Sequence, residues 1–466
     1  MRLICENGSD IFVAFMKKSS LIGHAAELYR LSVILKQPVD ETVGKFYRDR
    51  HYLGAGDRRF ISETVFGMVR NARLLEFCVT EASRLLGSLK GTGEDIRPLA
   101  YYATFAARIM GENPDAVVEE SSPLWRDEFP ELDCGSFVNI VKSVEIPDDI
   151  RNDPVRRNAI LFSFPEFIVS EWSKTYGDEI AEQLCNALNR TAPITIRVNT
   201  LRASVDECRR ELKKEKVEAE PTPHSPVGLI LPKRVNVPSL TAFKRGLFEL
   251  QDEGSQIVSL LLEPSPGATI VDACAGGGGK SLHLAALMKN QGIIHAIDVE
   301  KRRLERIGER AHRAGVSIIH SHLVGRELKM LRPLMDSADG VLIDAPCSGT
   351  GSLRRNPGAK LSMTPEFVEA QVRRQQSILE SYAPLVKPGG RLVYATCSLL
   401  QRENDDMVGW FLERHQEFSL IPADEVLARC GITISSTSEF LRLFPHRSTA
   451  DGFFAAVMGR AEQTAH

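Results

Sequence analysis

An excess of positive charge is missing from this 466-residue chain: 58 Lys and Arg face 61 Asp and Glu, a formal net charge of −3. That excludes a protein held on nucleic acid by bulk charge, although a basic face on one domain would not show in the average. A disulfide framework is missing too. Nine cysteines are present, an odd number that cannot pair completely, and no two form C-x-x-C. Zinc-ribbon and thioredoxin-like readings therefore lose their support, and the reduced thiols of a cytosolic protein are expected. No apolar run approaches the roughly 18 residues of a membrane span. Ile11–Met16 is short, follows Asp10 and stops at Lys17–Lys18, so it lacks the length of a secretory signal. Internal repeats and low-complexity tracts are absent. A monomer with no metal and no membrane association is expected.

What is present is apolar surface: 43% of residues are hydrophobic and 26% charged, the balance of a folded chain. The length suggests three units at roughly 100–200 residues each. From Gly23 to Ile150 the pattern is helical. His24–Lys36 carries apolar residues at helical spacing. Asp57–Phe77 repeats them at intervals of three and four (Phe60, Ile61, Val65, Phe66, Val69, Leu74), with Asp57 as its N-terminal cap. Phe167–Leu188 is a further helix. Prolines then crowd the chain, and Thr195–Asn199, Gly228–Pro232 and Leu247–Leu250 read as short strands around a helix, Ser204–Lys214. Arg209, Arg210, Lys213, Lys214 and Lys216 make that segment basic. Glu207, Glu211 and Glu215 are interleaved, so an RNA-binding face and a plain solvated face are equally good readings.

Beyond Gly254 strand and helix alternate. Ala268–Ala273, Ile293–Ile297, Ser317–Leu323, Gly340–Ile343 and Arg391–Ala395 are strand candidates, with helices at Ser281–Leu287, Lys301–Ala314 and Pro365–Leu385. The alternation predicts a parallel, doubly wound sheet with its ligands at the carboxyl ends of the strands. The first strand runs into Asp272-Ala273-Cys274-Ala275-Gly276-Gly277-Gly278-Gly279-Lys280-Ser281. A phosphate-binding P-loop requires Gly where Cys274 stands, and the dinucleotide pattern requires Gly at Ser281, or at Lys280 with a first Gly where Ala275 stands; both fail. A glycine-rich turn followed by an acid at the end of the next strand, Asp298, suits S-adenosylmethionine, whose ribose hydroxyls a carboxylate can accept. A tight turn with an unrelated surface Asp is the plain alternative.

Two cysteines also fall at strand ends. Cys347 lies in Asp344-Ala345-Pro346-Cys347-Ser348-Gly349-Thr350-Gly351 and Cys397 in Ala395-Thr396-Cys397-Ser398. Cys5, Cys78, Cys134, Cys185, Cys208 and Cys430 read as small buried hydrophobes. Placement alone does not choose between Cys347 and Cys397.

These two motifs resemble those of the Sun/RsmB family of RNA cytosine-5 methyltransferases. The likeness extends to Arg197-Val198-Asn199-Thr200-Leu201, Gln251-Asp252-Glu253-Gly254-Ser255 and Asp451-Gly452-Phe453-Phe454. The helices bearing Asp57-Arg58-Arg59-Phe60 and Gly67-Met68-Val69-Arg70 look like the NusB-type domain of the ribosomal-RNA members. The resemblance implies an all-α NusB-like domain over 21–150. A helical linker and small α+β, RRM-like unit would follow over 151–250, then a Rossmann-like α/β S-adenosylmethionine-dependent methyltransferase domain over 251–462.

The resemblance further implies that Cys397 attacks and that Cys347 assists product release. Asp344 would hydrogen-bond the base, and Cys274, Ala275, Gly276, Gly277, Gly278, Gly279, Lys280, Asp298 and Asp344 would line the cofactor site. A thiolate suits the reaction because its addition to C6 makes C5 of cytosine nucleophilic, and it leaves again readily. The implied partner is RNA, specifically 16S ribosomal RNA. Transfer RNA and an inactive RNA-binding homologue are the alternatives, and both intact cysteine motifs oppose the latter. Two departures stand out: Gly276-Gly277 replaces Ala-Pro, and the adenine-contacting Asp after the third strand is missing from Leu323-Val324-Gly325-Arg326-Glu327, where Glu327 is the acid at hand. Arg354 and Arg355 read equally well as RNA-phosphate contacts and as surface arginines.

Overall fold

The computed structural model describes residues 16–34, 39–87, 97–128, 133–232, 235–325 and 328–462. Cys5, most of Ile11–Met16, Lys36 and Arg326–Glu327 lie outside them. The chain divides into two compact units, Met1–Val169 with Pro357–Ser362, and Ser170–Asn356 with Met363–His466.

Every regular element among the first unit's described residues is a helix. Its core gathers Ile22, Leu28, Ile61, Val65, Met68, Leu75, Phe105, Trp125 and Phe137. Gly67 is needed there, because a Cβ would lie 2.4 Å from the Phe105 ring. Two sequence expectations change. The helix over His24–Lys36 begins earlier, at Lys18, and widens into a π-turn at Arg30–Ile34. Asp57–Phe77 is two helices, Ala55–Arg70 and Ala72–Leu86. The break falls at Asn71, whose side-chain amide donates to Gly67 O at 2.9 Å and competes with the helix ladder. Asp57 caps from inside the first turn, accepting from Gly54 N at 3.0 Å.

The second unit holds two sheets. The small one is antiparallel, with strands β1 (Ile194–Val198), β2 (Glu220–Pro221), β3 (Gly228–Leu231) and β4 (Phe248–Leu250) in the order β2-β3-β1-β4. The helix Val205–Lys214 buries Cys208 and Leu212 against its Ile196, Leu229 and Phe248. This helix's acids are occupied locally. Glu207 closes a capping box with Ser204, Glu211 pairs with Lys214 and Arg245, and Glu215 accepts from Thr241 N and Ala242 N. Upstream, the helix expected over Phe167–Leu188 breaks at Gly177, where φ is +85°.

The large sheet contains β5 (Thr269–Asp272), β6 (Ile293–Asp298), β7 (Ile319–Leu323), β8 (Ala338–Asp344), β9 (Val386–Thr396), β10 (Phe418–Ile421), β11 (Leu441–Leu443) and β12 (Phe453–Arg460). Its order is β10-β12-β9-β8-β5-β6-β7, with β11 also on β12. β5 to β9 are parallel, and β10, β11 and β12 pair antiparallel. The expected all-parallel sheet is therefore mixed. The reason is connectivity: β12 follows β11 through a loop, and without a crossover helix it must run the other way. The parallel strands are apolar on both faces, with Ile270, Ile294 and Leu342 packed on one side and Val271, Ile297 and Ile343 on the other. Strand order reverses between β5 and β8, which opens a crevice at their carboxyl ends.

Cys78, Cys134, Cys185 and Cys208 are buried as expected, but Cys430 is exposed: it follows a short helix, Ala423–Arg429, that buries only its opposite side. Among the described residues no helix is long and apolar enough to cross a membrane.

Candidate active site

The crevice between β5 and β8 opens into a cavity of about 790 Å³. The loop after β5 forms its floor. Gly276 takes φ +54°, and a Cβ there would meet only open space, so bare backbone faces the cavity. Gly278 takes φ +78°, but a Cβ there would lie 2.9 Å from Ile307. It seats the loop on the helix Lys301–Ala314 instead. Cys274, Ala275, Gly276, Gly277, Gly279 and Lys280 therefore line the cavity, and Gly278, expected among them, does not.

Asp298 ends β6 and is a lining residue. Its carboxylate accepts from Gly276 N at 2.9 Å and from Glu300 N at 2.8 Å, which leaves lone pairs for a ligand. Asp344 ends β8 and accepts from Lys280 Nζ at 2.6 Å. Lys280 is thus committed to a carboxylate where a P-loop lysine would meet phosphate. Asp272, buried and bonded to Ser281 Oγ, is pushed up to about 6 by burial and by the charges of Asp344 and Asp298.

Cys347 and Cys397 arrive from β8 and β9, and their sulfurs lie 3.4 Å apart, both as free thiols. Ser352 Oγ stands 3.9 Å from the Cys397 sulfur. The Cys347 thiol is held well above its ordinary range by its hydrogen bond to Cys397, by burial, and by the nearby Glu403 charge. Burial pushes the Cys274 thiol up as well, helped by Asp344, Asp272 and Asp298, which favours the protonated form of this third thiol of the cavity.

The two cysteine turns are joined by a residue that no sequence motif singled out. Glu403 is fully buried, and its carboxylate accepts from Ser348 N at 2.8 Å and Gln375 Nε2 at 3.0 Å. It also accepts from the hydroxyls of Ser348 and Ser398. Ser348 follows Cys347 and Ser398 follows Cys397, so one carboxylate fixes both thiols. Arg197 is a second such residue. It is buried on β1, and it donates to Gln251 Oε1 at 2.7 Å and Gly279 O at 2.8 Å, bracing the glycine loop from the small sheet. Burial brings its guanidinium down to about 9. Glu249 holds Arg310 and Arg313, and Arg310 reaches Gly277 O. Arg197, Gln251 and Gly279 each sit in a segment already singled out; that the three meet is what the sequence did not show.

Neither Arg354 nor Arg355 is a free surface arginine. Arg354 is buried on Asp451, and Arg355 bridges Asp451 and Asp252. Among the described residues no group of three or more His, Cys, Asp or Glu is arranged to hold a metal ion.

Comparison with known proteins agrees with this geometry. A family model described as 16S rRNA methyltransferase RsmB/F matches residues 259–459, and one for an RsmF/B-like ferredoxin-like domain matches 164–238. The chain is 30% identical over 453 residues to the probable ribosomal RNA small subunit methyltransferase B of Bacillus subtilis, covering 95% of this chain and 99% of that one. Ribosomal RNA small subunit methyltransferase B of Pseudomonas syringae pv. tomato is 33% identical over 57% of this chain and 58% of its own. Among solved structures, that of PH0851 superposes with a TM-score of 0.73 at 27% identity, over 96% of this chain and 99% of its own.

Proposed function

This chain belongs to the RsmB/F family of 16S ribosomal RNA methyltransferases, and from that premise we propose that it methylates C5 of an unpaired cytosine in small-subunit ribosomal RNA through a covalent bond from Cys397 to C6. The observation that carries this reading is the 3.4 Å approach of two free thiols beside a carboxylate and a glycine-rich loop in one cavity. S-adenosylmethionine supplies the methyl group as an electrophile. The cavity fits it, with the bare backbone of Gly276 and the remaining lone pairs of Asp298 on its wall. We assign the cofactor to Cys274–Gly277, Gly279, Lys280, Asp298 and Asp344.

In this reading Cys397 attacks C6 as a thiolate, stabilised by the Cys347 S–H and the Ser352 hydroxyl. A sulfur–carbon bond forms and the C5=C6 electrons pass to C5. Asp344, oriented by Lys280, hydrogen-bonds the N3–N4 edge and stabilises the adduct. After C5 has taken the methyl group, its proton passes to solvent water in the open cavity, the C5–H electrons re-form the C5=C6 double bond, and the C6–S bond breaks, the departing Cys397 thiolate accepting a hydrogen bond from the Cys347 S–H.

Small-subunit RNA from cells lacking the gene should gain 5-methylcytidine at an unpaired position when incubated with the protein and S-adenosylmethionine, as read by bisulfite mapping. Methyl label in any base other than cytosine would overturn the reaction, and preferential labelling of transfer RNA would overturn the substrate. Pairing the same cytosine in a full duplex should slow transfer by at least about tenfold, because extracting a paired base costs a few kcal/mol. Equal rates on both forms would contradict base extraction. Asp298→Ala should weaken cofactor binding roughly 10- to 150-fold, the loss of charge-assisted hydrogen bonds worth about 1.5–3 kcal/mol. Unchanged affinity by calorimetry would remove Asp298 from the site.

A further inference from the structure

A second cavity of about 460 Å³ lies in the same unit, between the end of the helix Asp178–Leu188 and the loop joining β11 to β12. We propose that it is a subsite for a nucleotide next to the methylated one, an inference that rests on the reading of the protein as an RNA methyltransferase.

Position is the first argument. Arg354 lines this cavity, donates to Thr449 O and pairs with Asp451, while Asp451 and Arg355 line the methyl-transfer cavity. Arg355 also donates to Pro193 O at 3.2 Å, and Pro193 walls the second cavity. Arg354, Arg355 and Asp451 are therefore a shared partition. A strand that turns one base into the first cavity brings its neighbour to the second.

Charge is the next argument. No carboxylate lines the second cavity. Arg354 is neutralised by Asp451, but Arg190, on the wall, has no acid partner among the described residues. Arg447, between the lining residues His446 and Ser448, stands over the Phe444 ring at 5.4 Å and likewise has no acid partner among the described residues. Two uncompensated guanidinium groups suit a phosphodiester.

The remaining wall suits a base. Asn186 presents both a donor and an acceptor. Burial and the Arg447 charge bring His446 down to about 4, so its ring is neutral at working pH. Its Nε2 accepts from Arg447 Nε at 3.2 Å, which places the ring proton on Nδ1. That Nδ1 and Thr449 Oγ1 are buried with no partner. Both belong to side chains that wall the cavity, and rotation of either side chain would turn its unmatched proton to the acceptors of a base edge.

The test uses the full-length protein and an unpaired RNA oligonucleotide containing the target cytosine, with abasic sites at each flanking position in turn. For wild type, one flanking abasic site should raise KM about tenfold, the scale of one lost base contact. In Asn186→Ala and His446→Ala the intact oligonucleotide should show a similar rise, and the same abasic site should add little further. Arg190→Ala should raise KM and flatten its salt dependence. Unchanged cofactor affinity verifies folding, and Asn186 and Arg190 are exposed, so those replacements disturb no core. KM values unmoved by the variants, or abasic effects that simply multiply with them, would overturn the subsite. Absence of cytosine methylation by wild type would instead overturn the underlying function.

Discussion

Cys397→Ala is expected to lose both methyl transfer and covalent capture of RNA, while Cys347→Ala accumulates a protein–RNA species that survives denaturing electrophoresis. The two thiols touch, but their surroundings differ. Cys397 faces the cavity with the Ser352 hydroxyl 3.9 Å from its sulfur. The Cys347 proton is held in place by its bond to Cys397, by burial and by Glu403. A Cys347 that keeps its proton is suited to hydrogen-bond a leaving sulfur, which is why the proposal gives the attack to Cys397 and the release to Cys347. Removing Cys397 should lower kcat by about 10⁴-fold or more, the scale for a lost catalytic nucleophile. Removing Cys347 leaves the attack possible and stalls the elimination. A trapped species only in the Cys397 variant would reverse the assignment, and full methylation by Cys397→Ala would end the covalent mechanism at this residue.

Much of this arrangement was legible because it is local. The runs Thr269–Asp272 and Ile293–Asp298 are short and mostly apolar, each ends on an acid, the first leads into a glycine-rich turn, and strand ends are where an α/β sheet gathers its ligands. Reading Cys274, Asp298, Asp344, Cys347 and Cys397 as neighbours needed only that rule. Asn71 and Gly177 were harder. The apolar spacing runs through both, and what stops each helix is a side-chain bond to Gly67 O in one case and a positive φ in the other. The role of Arg197, and Glu403 altogether, were out of reach for a different reason. Each acts mainly through partners tens of residues away, Ser398 beside Glu403 being the exception, and their worth lies in burial that no local pattern announces. Arg354 and Arg355 misled for the same cause, since the acids that neutralise them stand about a hundred positions along the chain in Asp451 and Asp252.

Glu403→Ala should lower kcat by about 10²–10³-fold, whereas Glu403→Gln should stay within about tenfold of wild type, the gap being set by what each leaves unpaired. Alanine strands two N–H donors, Ser348 N and Gln375 Nε2, in a fully buried place. Each orphaned donor costs about 1–3 kcal/mol, and the turns relieve it by moving, which separates the sulfurs and misplaces the attack by the ångström that reaction geometry does not tolerate. Glutamine keeps an oxygen for those donors and turns its NH₂ toward the hydroxyls of Ser348 and Ser398, which can rotate to accept. What it removes is charge. Because the Glu403 anion raises the Cys347 pKa, Glu403→Gln should lower it, and any fall in rate due to loss of the Cys347 proton should move to lower pH. Cofactor affinity measured by calorimetry should hold in both variants, since Glu403 does not line the cavity. In a Cys347→Ala background the trapped adduct should form slowly with Glu403→Ala and readily with Glu403→Gln. A Glu403→Ala protein that is less stable to heat yet attacks RNA at the wild-type rate would show that the carboxylate holds the fold without holding the thiols.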